Sequence, residues 1–575
     1  MFKFVVGLFP RKLRQHFRKN LRLTALYSKL LRQAGIIQNI PTLKTMSAAY
    51  VKNIKLQTEK IHKLIVENVS SPVLVLMVVE ADKHKLAKTL QSIKNLTNSR
   101  QLVFIYCAEE KKSLCNKILK KLDGDAFFGA VFSDNDGGHA LCEAIKGSCF
   151  VIFEGDSLHQ DYAKVLNHEL KLTSKIAYVD IDSLDDDGER YSPEFFPDWN
   201  PDLQLSTCYI QSGIWLSDIQ LLLTHRPLKL SYTCLSEWLI SLYLAEDANL
   251  IQHVPYVLVH RVKRFKMCSS KYASLLSAKA QVSVKQEGEV FALNWTNSSS
   301  PLVSIVIPTK NGKALVQACI ESIIEQTTYR NFEILLVDNN SDDPECLSYF
   351  EQLATHPQIS LLKYPFEFNY SAINNFAVNQ ANGEVIALVN NDIEVIEPDW
   401  LSYMVGHVMR PDIGCVGAKL LYANDLIQHA GVVMGYGGGA GHAHKYFPAD
   451  HPGYLNRISA THNYSAVTAA CLLVKKTDYE QVGGLNEVEF KVAFNDVDFC
   501  LRVLELGRRN LYCAEAVLYH HESVSRGHED TVEKLTRFNY EVSCLQTKWQ
   551  DYIDYDPAYN TNLTLRYENF AIKDD

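Results

Sequence analysis

The sequence predicts an α/β protein with two tandem domains, each built around a mainly parallel sheet. Apolar runs of strand length alternate with helical patterns along most of the chain, which is typical of parallel sheets covered by helices. A strand-helix-strand pattern begins at residue 73 and begins again at residue 303, about 230 residues later. The 575 residues are also too many for one hydrophobic core. We therefore expect two similar domains plus terminal segments.

The N-terminal segment, residues 1–60, differs in charge from the rest of the chain. Its first 58 residues contain twelve Lys and Arg and no acid, which leaves 46 basic and 66 acidic residues, or −20, elsewhere. Leu13, Phe17 and Leu21 recur at helical spacing among the basic residues. Such a basic amphipathic helix suits an anionic membrane surface, at roughly 1 kcal/mol per basic residue. A solvated helix packed on its own protein, or an organelle transit peptide, fits the same composition.

Overall composition indicates a globular protein of a reducing compartment. Apolar residues make up 47% and charged residues 22% of the chain. Fourteen cysteines are scattered without Cys-x-x-Cys pairs, which favours reduced thiols and a cytoplasmic location. The apolar run at residues 4–9 is far shorter than the ~20 residues of a membrane span, and we expect no signal peptide. We expect no nucleic-acid partner.

The first predicted domain covers residues 61–290. Strands are predicted at residues 73–79, 102–106 and 150–153, with a helix at 83–93. The third of these strands ends in Glu154-Gly155-Asp156, whose acids could bind a metal. The Asp-rich stretch at residues 185–188 is interpreted as a solvated turn rather than a metal site.

A predicted linker at residues 291–300 separates this domain from a second one at residues 301–530. Strands are predicted at residues 303–307 and 332–337, with a helix at 314–325 between them. Residues 531–575 are predicted to form a C-terminal helix and a tail. Apolar residues on one face of the pattern at 533–550 favour docking of that helix on the second domain.

The polar end of one predicted strand is the first candidate site. The apolar run at residues 384–389 ends in Asn390-Asn391-Asp392. Ligands bind at the carboxyl ends of the strands in open α/β sheets. Asp392 offers a hard oxygen ligand suited to Mg²⁺ or Mn²⁺, and a cap or turn role is the alternative. Asp338, at another strand end, could accept hydrogen bonds from a base or a ribose, or cap a helix.

Asp496 and Asp498 form a second candidate pair. Because they are two residues apart, they point to different faces of a helix. One carboxylate could face a reacting centre while the other caps the helix or pairs with Arg502. N-capping is an alternative role for either one.

Several ordered motifs give the second domain a resemblance to a known family. The motifs lie at residues 303–311, 336–341, 368–375, 390–392, 428–433, 463–468, 494–498, 520–527 and 556–560. Over about residues 301–570 the chain resembles the family 2 inverting glycosyltransferases of the GT-A fold. The match is best to a bacterial subgroup of O-antigen and surface-polysaccharide transferases, many of them rhamnosyltransferases. Both domains would then be GT-A-like, which is a Rossmann-like α/β architecture.

This resemblance implies roles for individual residues. Asp496 would be the general base, Asp392 would bind Mg²⁺ or Mn²⁺, and His520 would close the site on the metal or on the diphosphate. A purely structural His520 is the alternative. Asn390 stands where the family has the first acid of its metal motif, so one negative charge is missing here. The residues that would hold the nucleotide-sugar donor are Thr309, Lys310, Asn311, Asp338, Asn340, Asn390 and Asn391.

The first domain resembles a companion module of the same family at residues 196–203 and 251–261. Its acidic motif is reduced to residues 154–156. Glu237 is the only carboxylate where the general-base motif should fall. We therefore expect a degenerate GT-A-like domain that serves as a scaffold or acceptor platform.

The function implied is that of a metal-dependent inverting hexosyltransferase. It would move a sugar, with rhamnose as one candidate, from a nucleoside-diphosphate donor to a growing surface polysaccharide or lipid-linked glycan. The reaction would take place in the cytoplasm or peripherally at the inner membrane face. Two alternatives are a non-catalytic scaffold that binds a glycan or another transferase, and a bifunctional enzyme with both domains active.

Overall fold

A computed structural model describes residues 40–574 with gaps at 67–68, 97–100, 123–126, 137, 186, 224–229, 246–250, 262–271, 273, 277–281, 297–298 and 522–530. The described residues form two compact units. The first unit consists of Pro41–Leu293, Pro557–Thr564 and Ala571–Asp575, and the second of Asn294–Asp556 and Leu565–Phe570. Most of the predicted basic segment, residues 1–39, lies outside the described residues.

The first unit begins with a long helix and continues as alternating strands and helices. In chain order its elements are α1 (Leu43–Lys63), β1 (Val73–Val78), α2 (Lys83–Lys94), β2 (Gln101–Cys107), α3 (Lys112–Leu122), β3 (Phe127–Ser133), α4 (His139–Ala144), β4 (Cys149–Phe153), β5 (Ser157–Leu158), α5 (Tyr162–Glu169), β6 (Ile176–Leu184), β7 (Arg190–Glu194), α6 (Pro201–Thr207), β8 (Ile214–Leu216), α7 (Cys234–Leu244), β9 (Ile251–Arg261), β10 (Val282–Glu287) and β11 (Val290–Trp295).

The second unit repeats this alternation and ends in the longest helix of the described chain. Its elements are β12 (Val303–Thr309), α8 (Lys313–Gln326), β13 (Phe332–Asp338), α9 (Pro344–Leu353), β14 (Ile359–Lys363), α10 (Tyr370–Val378), β15 (Val385–Val389), β16 (Ile393–Val395), α11 (Trp400–Val408), β17 (Ile413–Leu421), β18 (Ile427–His429), β19 (Val432–Met434), β20 (Ala440–His442), β21 (His462–Tyr464), β22 (Cys471–Lys475), α12 (Lys476–Gln481), α13 (Asn495–Glu505), β23 (Arg509–His520) and α14 (Val532–Asp554).

The main sheets of the two units share one topology. The strand order is β3-β2-β1-β4-β8-β6-β9-β5 in the first unit and β14-β13-β12-β15-β22-β17-β23-β16 in the second. Corresponding pairs also have the same direction. The first four strands of each order are parallel, the fifth is antiparallel to both neighbours, and the last strand is antiparallel to the one before it. The predicted α/β fold with two tandem, mainly parallel domains is confirmed.

Burial explains why the central strands of the second unit are apolar throughout. All five residues of β15 are buried, because helices cover both faces of the sheet. The core beneath it includes α8 and α11, whose Trp400 is fully buried.

Helices of the second unit begin at residues that the sequence marks as helix caps. Asp343 caps α9, which has Pro344 at its first position, and Asn369 caps α10 through the Ala372 N–H.

Two predicted boundaries differ from the structure. The linker predicted at residues 291–300 begins inside β11, where Phe291 and Leu293 are buried. Buried and less buried residues alternate at positions 291–294, as they do in a strand. The polar residues that follow made the whole stretch resemble a linker. The tail predicted with the C-terminal helix is divided: residues 557–564 and 571–575 belong to the first unit. Short-range patterns contain no information about such long-range packing.

The described part of the Asp-rich stretch at residues 185–188 forms the predicted turn. Asp185 accepts hydrogen bonds from the N–H groups of Asp187 and Glu189, as a turn residue does, while Asp186 lies outside the described residues. None of the described cysteines is in a disulfide, and all of them but Cys544 are buried. None of the described helices combines the length and apolar character that crossing a bilayer requires.

Candidate active site

A cavity of about 450 Å³ opens at the carboxyl ends of β12 and β15 in the second unit. Parallel strands β12 and β15 are hydrogen-bonded neighbours, so their polar ends meet there. Seven residues predicted for the site line the cavity: Thr309, Lys310, Asn390, Asn391, Asp392, Asp496 and His520.

The corner between β12 and β15 is fixed by side-chain hydrogen bonds. The Asn391 Nδ2 donates to Thr309 Oγ1 at 3.0 Å, and both residues are buried. Lys310, the next residue, is exposed at the rim. The arrangement places a cation beside a rigid polar wall, which suits a phosphate-containing ligand.

Asp392 and His520 face each other across a strand pair. β16 pairs antiparallel with the end of β23, with Ile393 opposite His520. Nε2 of His520 consequently lies 3.2 Å from Oδ1 of Asp392, and both residues are about nine-tenths buried or more. In the described part of the chain no donor forms a hydrogen bond with that carboxylate oxygen. A buried acceptor without a donor is costly unless a cation or ligand satisfies it.

Asn390 connects this pair to a tyrosine. Nδ2 of Asn390 lies 3.2 Å from Nε2 of His520, and its Oδ1 accepts from the Tyr370 hydroxyl at 3.2 Å. Because the amide nitrogen of Asn390 donates in this orientation, Nε2 of His520 accepts and has its lone pair on that side. This lone pair and the carboxylate oxygen of Asp392 are therefore close together. Converging nitrogen and oxygen lone pairs fit a divalent cation such as Mg²⁺ or Mn²⁺.

Asp496 is the second residue of α13 and lies at the cavity wall. Its Oδ2 accepts from the Ala469 N–H at 3.1 Å, and its Oδ1 accepts from its neighbour's N–H, that of Val497, at 2.9 Å. Burial raises the pKa of the Asp496 carboxyl, while these N–H groups and the Thr468 hydroxyl oppose the rise. A carboxylate with a raised pKa is a better proton acceptor than an ordinary surface carboxylate.

Asp498 points away from the cavity, as the two-residue spacing predicts. Its Oδ2 accepts from Arg502 Nε at 2.8 Å, which confirms the predicted pairing. Its Oδ1 accepts from Lys548 Nζ and Trp549 Nε1 of α14. Asp498 is thus bonded to neighbouring side chains, and Asp496 is the member of the pair that lines the cavity.

Three residues predicted to hold the donor lie outside the cavity lining. Asp338 caps its own turn by accepting from the Ser341 N–H at 2.9 Å. Asn311 accepts from two backbone N–H groups of the segment after β13. Asn340 is exposed in a left-handed conformation, with φ of 57°. A strand-end position does not fix side-chain direction, because the following turn reorients it.

Other residues of the cavity had no role assigned from the sequence. Tyr370, Gln428, His442 and Thr468 line it, and the first, second and fourth belong to motifs noted above. Gln428 is 3% exposed, and its Oε1 has no hydrogen-bond partner in the described part of the chain. Its place beside His429, between apolar residues in the motif at residues 428–433, is the signal that could have identified it.

His429 supports the same wall without lining it. Its Nδ1 lies 2.8 Å from the Ala418 carbonyl, and its Nε2 accepts from the Thr468 N–H at 3.3 Å. Burial holds the pKa of His429 well below its usual value, so the ring stays neutral. It thereby positions Thr468, whose hydroxyl bonds to Asp496.

Comparison with known proteins agrees with this geometry. Residues 304–482 match the family model described as Glycosyl transferase family 2. The second unit thus contains a segment similar to the glycosyl transferase family 2 domain. The matched segment includes the β12 and β15 ends and stops before Asp496 and His520.

Two curated relatives are similar to this chain over much of its length. The uncharacterized protein y4gI of Sinorhizobium fredii is 39% identical over 458 residues, which cover 76% of this chain and 50% of that protein. The O-antigen biosynthesis protein RfbC of Myxococcus xanthus is 34% identical over 415 residues, which cover 68% of this chain and 31% of that protein. The chain thus spans half the length of one relative and about a third of the other.

A solved structure with some likeness is that of GalNAc-T7 with UDP, GalNAc and Mn²⁺. It is 13% identical, covers 47% of this chain and 52% of its own, and has a TM-score of 0.38.

The shared topology identifies the first unit's counterparts of the Asp392–His520 pair. β5 corresponds to β16 and β9 to β23, and Ser157 lies opposite His260 as Ile393 lies opposite His520. Asp156 is therefore the counterpart of Asp392, and His260 of His520. In the first unit these two residues have different partners.

Asp156 and His260 are both occupied by other groups. Oδ2 of Asp156 accepts from the Phe153 N–H at 2.9 Å and from the Ser212 hydroxyl, and Arg261 Nε lies 3.8 Å from Oδ1. His260 Nδ1 instead bonds to Asp182. An arginine beside the carboxylate takes the place that a cation would need.

The two remaining acids of the first unit are also engaged. Glu154 accepts from the N–H groups of residues 80–82 and from the Tyr232 hydroxyl. Glu237 accepts from Thr233 Oγ1 at 2.9 Å. Glu237 is the fourth residue of α7, as Asp498 is of α13, and the second residue, the counterpart of Asp496, is the buried Leu235.

Proposed function

We propose that the second unit is an inverting glycosyltransferase that uses a nucleoside-diphosphate sugar. The observation that carries this proposal is the position of Asp496, a carboxylate whose pKa is raised by burial, on the wall of a polar cavity that residues of the family 2 match also line. A base in that position can remove the proton from an acceptor hydroxyl as it attacks the anomeric carbon. Attack from the face opposite the departing diphosphate inverts the configuration.

Donor binding is assigned to the β12 and β15 corner. The Lys310 ammonium would attract the diphosphate, and the amides of Asn390 and Asn391 would hydrogen-bond to the nucleotide or the sugar. Asn311, Asp338 and Asn340 are assigned to the shape of the neighbouring turns, where they hold backbone groups in place.

Asp392 and His520 are assigned to a divalent metal ion, Mg²⁺ or Mn²⁺. The buried, donor-free Oδ1 of Asp392 and the facing imidazole support this choice. When bound, the ion would neutralise charge that develops on the leaving diphosphate. The neutral Asn390 leaves a single carboxylate in this corner, so we expect modest metal affinity.

The acceptor is proposed to be a growing surface polysaccharide or a lipid-linked glycan, and rhamnose is one candidate for the sugar. The similarity to a protein named for O-antigen biosynthesis supports the polysaccharide class. The basic segment at residues 1–60 is proposed to contact an anionic membrane surface at the cytoplasmic face, where a lipid-linked acceptor would be presented.

The first unit is proposed to be a non-catalytic scaffold or acceptor platform. Asp156, Glu154 and Glu237 all have protein partners, and the position equivalent to Asp496 is an apolar residue. These partners weigh against the alternative of a bifunctional enzyme with two active domains.

A direct test is the release of nucleoside diphosphate from a panel of UDP-, GDP- and dTDP-sugars with Mn²⁺ or Mg²⁺, with lipid-linked glycan as acceptor. We expect turnover by the native chain and by Asp156→Asn, and none by Asp496→Asn. Turnover that survives Asp496→Asn and is lost in Asp156→Asn would assign the chemistry to the first unit. Absence of turnover with every donor, together with measurable glycan binding, would favour the binding scaffold.

A further inference from the structure

The segment before Asp496 is held by a buried carboxylate from α14. Glu541, which is 1% exposed, accepts hydrogen bonds from the N–H groups of Val492 and Ala493 at 2.9 and 3.1 Å. Val492, Asn495 and Asp496 line the cavity, whereas Glu541 does not. Glu541 therefore acts on the cavity wall only through this segment.

The same segment has a backbone conformation that requires support. Phe494 has φ of 59° and ψ of 9°, in the left-handed region that a bulky L-residue rarely adopts. Its ring packs against Phe538 of α14, with the centroids 5.5 Å apart. The left-handed residue turns the chain sharply into α13, so that Asp496 follows within the first turn of the helix. Strain of this kind persists only where neighbouring contacts fix it.

On the other side of Asp496, the same helix binds Asp498. Lys548 Nζ and Trp549 Nε1 donate to Oδ1 of Asp498 at 2.7 and 3.0 Å. The backbone of α14 departs from helical geometry at Trp549, where φ is −121° and ψ is 29°. Positions 541, 548 and 549 lie on one face of a helix. Helix α14 thus holds the chain both before and after Asp496.

We propose that Glu541 is a positioning residue for the reaction, fixing the Val492–Ala493 backbone so that the Asp496 carboxylate is directed at the acceptor hydroxyl. This inference rests on the proposed function of the second unit. The alternative is that Glu541 only satisfies two buried N–H groups and anchors the helix. The two roles differ in their consequences, because a displaced base lowers the rate of transfer while leaving the donor pocket at β12 and β15 intact.

The test compares Glu541→Ala and Glu541→Gln with Leu545→Ala in the full-length chain. Leu545 is fully buried one turn further along the same face of α14, so its truncation loosens the helix without removing the carboxylate. The assay is nucleoside-diphosphate release from the UDP-, GDP- and dTDP-sugar panel with Mn²⁺, and the thermal midpoint of each variant is recorded.

We expect Glu541→Ala to lower kcat at least tenfold with the KM for the nucleotide sugar within about twofold. Glu541→Gln, which keeps one acceptor oxygen, should recover much of that loss. Leu545→Ala should keep near-native kcat at temperatures well below its midpoint. Hydrogen exchange should increase in Glu541→Ala specifically at residues 490–496.

Several results would overturn the inference. If Glu541→Ala and Leu545→Ala lose kcat equally when they are compared at the same distance below their thermal midpoints, Glu541 only anchors the helix. Native kcat in Glu541→Ala, or unchanged exchange at residues 490–496, would remove the role altogether. Absence of turnover in the native chain is a separate outcome, because it removes the proposed function itself.

Discussion

Nε2 of His520 lies 3.2 Å from Oδ1 of Asp392, although 128 positions separate the two residues in the sequence. Antiparallel pairing of β16 with β23 brings them together. Asn390 lies against the same imidazole. This geometry makes the proposed metal corner testable by ligand binding, independently of turnover.

Removing either partner should weaken metal binding. We expect Asp392→Asn and His520→Ala each to lower the affinity for Mn²⁺, measured by calorimetry in the presence of UDP, GDP or dTDP, at least tenfold, which is about 1.4 kcal/mol. The cause is loss of a charged oxygen ligand or of an imidazole ligand. Asp156→Asn in the first unit is the matched control and should bind Mn²⁺ like the native chain. Native affinity in both site variants would contradict the assignment.

Restoring an acid at position 390 should have the opposite effect. Asn390→Asp keeps an oxygen acceptor for the Tyr370 hydroxyl and adds a negative charge beside Asp392. We expect the affinity for Mn²⁺ to rise by roughly tenfold, because affinity for hard cations increases with the number of charged oxygen ligands. Asn390→Ala, which loses the amide contacts without adding charge, is the control. An Asp variant that binds Mn²⁺ no better than the Ala variant would count against a metal at this corner.

The raised pKa of Asp496 predicts both a pH profile and a stability change. The base must be ionised to act, so kcat/KM should fall as pH decreases through its pKa, which burial raises above the usual value of an aspartate. When folding raises the pKa of an acid, the folded protein is destabilised by the ionised form of that acid. The free energy of unfolding therefore decreases as pH rises through the pKa of the folded state. Asp496→Asn should therefore abolish turnover yet match or exceed the native thermal midpoint at pH 7 to 8. If the thermal midpoint of Asp496→Asn is below that of the native chain at that pH, the ionised Asp496 does not destabilise the folded protein, and the prediction is wrong.

Sequence patterns were sufficient for the fold but only in part for the site. Continuous runs of apolar residues located β12, β13 and β15, because each strand is buried along its whole length or nearly so. The repeat of strand and helix patterns likewise anticipated two sheets of one topology. Local propensity could not divide the tail between the units, since that packing depends on residues hundreds of positions away.

The site residues illustrate the same limit. Spacing alone could not place His520 beside Asp392, because their approach depends on a non-local strand pair; the family resemblance supplied that expectation. Strand-end position also suggested Asp338 as a ligand residue; its Oδ1 accepts from the Ser341 N–H, and Asp338 does not line the cavity. The contacts of Glu541 gave no sequence signal, because a buried acid on an amphipathic helix resembles any other polar residue in the pattern.

Gln428 offers a prediction in which activity and stability move in opposite directions. Its Oε1 is buried in the cavity wall without a hydrogen-bond partner among the described residues, which is unfavourable in the free protein. A sugar hydroxyl that donates to this oxygen would remove the penalty on binding. Gln428→Leu should raise the KM for the nucleotide sugar or the acceptor roughly tenfold while the thermal midpoint stays level or rises. A drop in the midpoint with unchanged KM would show a purely structural glutamine.

Gly431 follows the Gln428-His429-Ala430 stretch and sets the strongest steric constraint near the cavity. Its φ is +98°, and a Cβ built there would lie 2.0 Å from the ring of Tyr464. Gly431→Ala should therefore cost about 3 kcal/mol in the free energy of unfolding, from overpacking plus a left-handed backbone. Gly437 has φ of +62° with nothing within 4 Å of its would-be Cβ, so Gly437→Ala isolates the backbone contribution and should cost about 1 kcal/mol. Urea unfolding of the two variants measures the difference, and equal losses would mean that Tyr464 moves aside and that the ring does not constrain this turn.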